Sequence, residues 1–203
     1  MKITVINGSH RENSQSLKVA TYIQSVLDSG ISEQSWLFSL KANPLPLWDE
    51  GVWDGEPKWK DLLSPIKAQL ASSDAFVVVS PEWHGQVPAG LKNFFLLFGK
   101  NELGHKPALI VSVSSGDGGA YPVAELRMSS YKNSRICYIP DHVIVRHVEK
   151  VLNNNGEDND TRSDPYIRER LQWSLNVLKQ YALALKQVRE SGVTHSDKFK
   201  NGM

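Results

Sequence analysis

The sequence contains a single cysteine, Cys137, among its 203 residues. One cysteine cannot form an intramolecular disulfide and makes a cysteine-based metal site untenable. Because Cys137 lies in the apolar run RICYIP, we interpret it as a small buried hydrophobic residue. The six histidines show neither H-x-x-x-H nor another ligand spacing, so we predict no metal site.

Long apolar runs and an excess of charge of one sign are also missing. No stretch approaches the ~18 apolar residues of a membrane-spanning helix. The chain enters a strand-like segment at once, without a secretory signal before it. Its 23 basic and 22 acidic residues leave a net charge of +1. We therefore expect a cytoplasmic protein without a nucleic-acid or membrane partner.

Strand-like and helix-like segments alternate along the chain. The runs KITVI, AFVVVS and PALIVSV are apolar almost without alternation, which is typical of parallel strands covered on both faces. Helical spacing over residues 14–28 and 166–189 adds a first and a long last helix. We find no repeat or linker. The pattern predicts one three-layer α/β domain over residues 1–190, and residues 191–203 are expected to form a polar, flexible tail.

Three polar loops follow predicted strands, with the sequences GSHRENSQS, PEWHGQVPAG and SSGDGG. Because ligands of such sheets bind at the carboxyl ends of the strands, we expect the three loops to converge. The first loop leads into a helix start, whose free N–H groups attract an anion. Ser9, Ser14 and Ser16 add hydroxyl donors, and Arg11 adds a guanidinium suited to a phosphate monoester.

This first loop has neither of the common nucleotide-binding patterns. It lacks the lysine of G-x-x-x-x-G-K-[ST], and it lacks G-x-G-x-x-G. An alternative therefore stays open, in which Asn13 or Ser14 only caps the helix and Arg11 is solvated. In both interpretations His10 is expected at the surface.

The second and third loops are suited to a flat ring system. Pro81 and Gly85 restrict and turn the backbone, and Trp83 offers an apolar face. In the third loop, glycines allow close approach of the backbone to a ligand. The alternatives for Glu82 and His84 are a hydrolytic acid–imidazole pair and a purely structural loop. No G-x-S-x-G elbow supplies a nucleophile, so we favour cofactor contacts for both residues.

Together these motifs resemble the NADPH-dependent FMN reductase family. They are GSxRxxS, PEY/W-x-x-x-x-P-x-x-LKN and the glycine-rich loop, in this order, and the resemblance covers about residues 1–185. It implies a flavodoxin-like fold with a central parallel five-stranded sheet of order 2-1-3-4-5. It also implies FMN as cofactor and NADPH or NADH as co-substrate. The resemblance assigns the cofactor-binding positions Ser9, Arg11, Ser14, Gln15, Ser16, Pro81, Glu82, Trp83, His84, Gly85, Ser115, Gly116, Gly118 and Gly119.

In such an enzyme the flavin carries the chemistry, and no dedicated catalytic side chain is expected. Hydride would pass from the nicotinamide to FMN and then to a quinone, flavin or similar small acceptor, in a ping-pong mechanism. The resemblance also implies a homodimer or homotetramer. We expect the tryptophans around the long loop after the second strand, Trp48, Trp53 and Trp59, to pack locally or across a subunit interface. A further hypothesis, which the resemblance supports, is that the loop over residues 43–55 of a second subunit covers the flavin. The alternative is a flavodoxin-like electron carrier or FMN-binding module without nicotinamide activity.

The sequence departs from the family pattern at two places. The family often has Tyr-Asn where this chain has Trp83 and His84, and it often has Asn at the position of Ser16. Trp83 keeps an aromatic surface without a phenol hydroxyl, and Ser16 can still donate to a phosphate. We expect Lys92 and Asn93, in the helix after the second loop, to be structural.

Overall fold

The structure, a computed structural model, describes residues 1–42 and 44–201. Residue 43 of the predicted covering loop and residues 202–203 of the predicted tail lie outside these described residues. Five parallel strands form one sheet, in the order β2-β1-β3-β4-β5, which confirms the predicted fold. The strands are β1 Lys2–Asn7, β2 Gln34–Ser39, β3 Ala75–Pro81, β4 Pro107–Val113 and β5 Cys137–Val145.

Helices cover both faces of this sheet. They are α1 Gln15–Val26, α2 Gly51–Asp54, α3 Pro57–Ala71, α4 Ala89–Leu97, α5 Lys100–Leu103, α6 Ala120–Ser129 and α7 Ser163–Glu190. Apolar residues of α1 and α7 form one core with the sheet, and those of α3, α4 and α6 form the other. The domain therefore has the three layers that the alternating pattern predicts.

The two central strands β3 and β4 are buried along their whole length. Their continuous apolar sequences reflect this, because helices pack on both faces of each strand. The pairing places Asn7 of β1 beside Val79, and Pro81 beside Val113 of β4. The loops that leave these three strands therefore start at the same edge of the sheet.

Local signals account for the ends of some helices. Ser14 caps α1, since its Oγ accepts a hydrogen bond from the Leu17 backbone N at 3.1 Å. The helical turn after α1, Leu27–Ile31, contains Gly30, whose φ of 130° is not helical and suits glycine. Pro65 lies inside α3, which continues through it. Strand β5 is also continuous, with a register shift between Ala108 and Ile110 of β4.

Within residues 1–42 and 44–201, no helix combines the length and the apolar character needed to cross a membrane. The same part of the chain contains no group of three or more His, Cys, Asp or Glu side chains arranged to hold a metal ion. The cytoplasmic location stays a prediction.

Candidate functional site

The three loops predicted to converge lie against one another at the carboxyl edge of the sheet. The rings of His10 and Trp83 meet edge to face, with 4.7 Å between their centroids, and join the first loop to the second. The Glu82 carboxylate accepts a hydrogen bond from the Gly119 backbone N at 2.8 Å and joins the second loop to the third. Loops distant in sequence therefore form one continuous surface.

Gly8 and Asn7 fix the first loop on the sheet. The Gly8 N donates to the Val79 carbonyl at 2.8 Å, and a Cβ at Gly8 would overlap the side chain of Leu91. The Asn7 Nδ2 donates to Ser39 Oγ at 2.9 Å. The sequence analysis did not select Asn7, although a polar residue that ends an otherwise apolar strand was a visible signal.

The start of α1 suits an anion. Its first turn contains no acidic residue, so nothing neutralises the partial positive charge of the helix end. The N–H groups of Gln15 and Ser16 belong to this first turn and have no partner within the helix. The Ser14 hydroxyl accepts the capping hydrogen bond, and its own proton is free to be donated.

The side chains of the first loop differ in exposure. Arg11 is exposed, whereas Ser9 and Ser16 are only 2% and 3% exposed. His10, expected at the surface, is half-buried against Trp83, and its Nδ1 is buried without a hydrogen-bond partner among the described residues. A buried polar atom without a partner carries a desolvation cost, which a bound ligand would relieve.

The second loop forms a tight hairpin turn after β3. Trp83 and Gln86 exchange two backbone hydrogen bonds, of 3.1 and 2.9 Å. Both central residues have positive φ, 50° at His84 and 70° at Gly85, as a type I′ turn requires. His84 is exposed, and no hydrogen bond joins it to Glu82 in the described structure. The geometry gives no support to an acid–imidazole pair.

The carboxylate of Glu82 organises the third loop. It accepts hydrogen bonds from the backbone N of Gly119 at 2.8 Å and of Tyr121 at 3.3 Å. From the other side, Arg146 Nε donates to the carbonyls of Asp117 at 2.7 Å and Gly118 at 2.9 Å. The glycine-rich loop is thus held between β3 and the end of β5.

Sequence reasoning missed Tyr121 and Arg146. The Tyr121 ring lies 3.8 Å from the position that a Cβ on Gly85 would take, so it borders the same surface as the hairpin turn. Tyr121 follows the glycine-rich loop almost directly, which was an available signal. Nothing in the sequence around Arg146 indicates that its guanidinium returns to the carbonyls of another loop.

The helix behind the second loop is held by polar contacts. Lys92 Nζ pairs with Glu125 Oε1 at 2.6 Å, and Glu125 Oε2 accepts from the Val87 N at 2.7 Å. Burial acts to raise the pKa of Glu125, but the contacts with Lys92 and Val87 outweigh it, so the pKa lies below its usual range. Asn93 binds both the Trp48 N and the Pro46 carbonyl at 2.8 Å. These contacts are structural, as expected for Lys92 and Asn93.

A model of one family, described as NADPH-dependent FMN reductase, matches residues 1–150. The chain belongs to this family. Membership confirms the resemblance inferred from the three loops. It also confirms the predicted enzyme class, an NAD(P)H-dependent flavin or quinone reductase, and the predicted cofactors FMN and NADPH.

Curated relatives in sequence carry oxidoreductase names. The chain is 26% identical over 192 residues to an NADPH azoreductase of Bacillus sp. strain OY1-2, which covers 94% of this chain and 97% of the relative. It is 27% identical over 170 residues to a 2-hydroxy-1,4-benzoquinone reductase of Burkholderia sp., covering 80% of this chain and 88% of the relative. The similarity thus extends over nearly the whole length of the azoreductase.

Solved structures share the fold at low identity. FerB, a flavoenzyme NAD(P)H:(acceptor) oxidoreductase of Paracoccus denitrificans, matches with a TM-score of 0.69 and 21% identity, over 90% of this chain and 97% of its own. An FMN-dependent NADH-azoreductase of Bacillus anthracis, solved with FMN, matches with a TM-score of 0.53 and 18% identity, over 91% and 99%. At these identities the matches show the fold alone.

The residues of this family member fit FMN. The acid-free start of α1 suits the phosphate, and the unpartnered Nδ1 of His10 lies in the loop between that helix and Trp83. The hairpin turn and the glycine-rich loop border the same surface, beside the aromatic side chains of Trp83 and Tyr121. A phosphate and a flat ring are the two parts of the cofactor for which these features are suited.

Gly119 is the loop glycine whose replacement we expect to be costly. Its φ is 105°, and a Cβ there would overlap Ile144 Cγ2. Replacing it by alanine should lower the free energy of unfolding by about 1–3 kcal/mol, because the backbone and Ile144 must move. Urea denaturation of the FMN-free protein measures this change.

Gly116→Ala is the matched control in the same loop. A Cβ at Gly116 would have no heavy atom within 4 Å, and its φ is not in the left-handed region. We expect a change within about 0.5 kcal/mol. Equal effects of the two substitutions would contradict the close approach of Gly119 to β5.

Proposed function

We propose that this enzyme reduces small quinone or azo acceptors with electrons from NADPH or NADH, through FMN bound at the carboxyl edge of the sheet. The convergence of an acid-free helix start, an aromatic hairpin turn and a glycine-rich loop carries this proposal. When bound, FMN supplies the chemistry, since its ring accepts a hydride from the nicotinamide and returns it to the second substrate.

The first loop holds the phosphate in this proposal. The N–H groups of Gln15 and Ser16 and the hydroxyls of Ser9, Ser14 and Ser16 donate to it. Arg11, exposed beside the helix start, supplies the positive charge. No Walker lysine is needed, because one phosphate monoester requires fewer donors than a triphosphate chain.

The second and third loops hold the ring. Pro81, Trp83, His84 and Gly85 border one edge of the ring, and Ser115, Gly116, Gly118 and Gly119 border the other. Glu82 has a different part in this arrangement. Its carboxylate already accepts two backbone N–H groups, so its side chain positions the third loop against the second, while its backbone borders the ring with the rest of the second loop.

No described side chain is assigned as an acid or base. The protein positions the ring and leaves one face open, where the nicotinamide and the acceptor bind in turn. Sequential use of one face implies ping-pong kinetics. The names of two relatives, an azoreductase and a hydroxybenzoquinone reductase, favour azo and quinone acceptors.

The alternative is an electron carrier, and the charge of the chain argues against it. Carriers dock on basic partners through an acidic surface, whereas this chain has a net charge of +1. The open ring face that a reductase needs is also unnecessary for a carrier.

We further propose a homodimer or homotetramer, in which the loop over residues 43–55 covers the partner's flavin. Trp59 is buried in its own subunit, and Trp48 packs against Trp53 with 4.6 Å between ring centroids. Trp53, the outer member of this Trp48–Trp53 pair, is 79% exposed. An exposed tryptophan held in place by its neighbours is the kind of residue that anchors interfaces.

A rapid-mixing experiment tests the reductase. Protein loaded with FMN and mixed anaerobically with NADPH should lose its flavin absorbance within seconds, and a quinone added next should restore it. Steady-state rates against both substrates should give parallel double-reciprocal lines. A flavin absorbance that stays constant after NADPH addition would support the electron carrier. Intersecting double-reciprocal lines would contradict the ping-pong mechanism but not the reductase activity.

Arg11→Ala tests the phosphate site. Loss of a charge-assisted hydrogen bond should raise the dissociation constant of FMN about 10- to 100-fold. Lys41→Ala is the control, because Lys41 is another exposed cation beside this loop, paired with Glu12 at 3.5 Å. FMN fluorescence quenching measures both. An unchanged FMN dissociation constant for Arg11→Ala would refute the assignment of the first loop as the phosphate site.

Trp53→Ser tests the covering loop more cleanly than a deletion, since deleting the loop would also remove the buried Leu45. We expect weaker self-association by about tenfold or more and altered turnover of bulky acceptors. Trp173→Ser, at an exposed tryptophan of α7, is the control. Sedimentation equilibrium reports the association. Identical masses and kinetics for wild type and Trp53→Ser would exclude this loop from the interface.

A further inference from the structure

A second cleft lies at the opposite edge of the sheet, where β4 begins. It has a volume of about 620 Å³ and is bordered by α5, the end of α7 and the chain after α7. The flavin site is at the carboxyl ends of the strands, so the two sites are separated by the length of the sheet. Nothing in the proposed reductase chemistry uses this second cleft.

The cleft is strongly basic. The folded body of the domain contributes Lys100, His105, Lys106, Arg135 and Arg189 to its lining. The segment after α7 adds His195 and Lys200, and Asp197 is the one acidic residue among the described lining residues. Because the whole chain carries a net charge of only +1, this is a local concentration of positive charge.

The cations of this basic cleft donate mainly to neutral carbonyls. Lys106 Nζ donates to the carbonyls of Leu70 at 3.0 Å, Ala71 at 2.7 Å and Glu102 at 2.7 Å. Lys100 Nζ likewise donates to the Lys200 carbonyl at 2.7 Å. Carbonyls satisfy the N–H groups but do not neutralise the charges.

Carboxylates compensate few of these charges. Arg189 lies 3.5 Å from Asp74, and within the described parts of the chain none of the other six basic residues has a carboxylate oxygen within 4.0 Å. Arg135 instead donates to the carbonyl of Phe199 at 2.7 Å. One ion pair, between Arg189 and Asp74, thus stands against several positive charges in the cleft.

Burial and the neighbouring positive charges lower the pKa of two basic groups of the cleft. Burial, and then the charge of Arg189, lower the pKa of Lys106 to about 8. Burial, followed by the charges of Arg135, Arg189 and His195, also lowers the pKa of His105. The Nε2 of His105 is buried and has no hydrogen-bond partner among the described residues. An anion would relieve both the repulsion and the unsatisfied nitrogen.

We propose that this basic cleft binds a small polyphosphate anion, such as a diphosphate group. A multiply charged anion suits the site better than a single carboxylate, because several cations surround one cavity and few carboxylates neutralise their charge. Arginine presents a planar set of donors that matches phosphate oxygens, and lysine adds point charge. The cavity has the size of a small-molecule site.

Titration with inorganic pyrophosphate tests the proposal. The protein is used loaded with FMN, so that the phosphate cradle of α1 is filled and does not contribute. Calorimetry at low ionic strength should show saturable binding of one pyrophosphate, weakened by added salt. The double variant Lys100→Gln/Arg135→Gln should bind about tenfold or more weakly. Both side chains donate only to carbonyls of residues 199–200 in the described structure, so the packed domain should remain folded.

The double variant Lys60→Gln/Lys132→Gln is the matched control. It removes the same net charge at two exposed lysines that do not line the cleft, and its affinity should equal that of wild type. A parallel titration with ADP shows whether a nucleoside is also recognised, through tighter binding than pyrophosphate. Equal affinities of the two double variants, or no saturable binding to wild type, would overturn the proposal.

Discussion

Burial of the two central strands on both faces is the constraint on which the rest of this structure depends. Every residue of β3 and β4 is buried, so neither face of the sheet is available for polar chemistry. The backbone groups of these strands are satisfied within the sheet until the strands end. Function is therefore restricted to the two edges where the strands begin and finish. The carboxyl edge has the loops that fit FMN, and the amino edge has the basic cleft.

At the carboxyl edge, side chains that bind backbone groups give the loops their shape. Glu82 binds N–H groups of the third loop, Arg146 binds its carbonyls, and Asn7 ties the first loop to β2. Each contact bridges segments far apart in the sequence. Glycines in the loops keep the surface free of bulk, while these polar contacts supply the order that glycines alone would not give. A preorganised surface of this kind reduces the entropy lost when a cofactor binds.

The sequence was sufficient for the fold because the decisive signals are local or periodic. The apolar runs predicted β1, β3 and β4 closely, and the strand PALIVSV agrees with Pro107–Val113 at both ends. The three loops could be placed at one edge because parallel strands share their direction. The resemblance supplied the strand order, which the family match and the sheet topology confirm.

Contacts between distant side chains could not be predicted in the same way. Glu82 was selected as a residue of the cofactor loop, but the sequence did not show that its carboxylate binds the backbone of the third loop. His10 was expected at the surface, yet it packs against Trp83. In both cases the partner lies about 37 to 73 residues away, and no spacing rule relates such positions. Exposure and pairing of individual side chains depend on the finished packing.

The two departures from the family pattern in the second loop have a physical explanation. The residue after Trp83 must adopt positive φ in the hairpin turn, and histidine, like asparagine, is among the residue types enriched in that region. His84 can therefore replace asparagine without changing the turn. Trp83 in place of tyrosine offers a larger ring, and His10 holds that ring from its edge. The two substitutions thus alter side chains of the hairpin turn at positions where its backbone conformation accepts them.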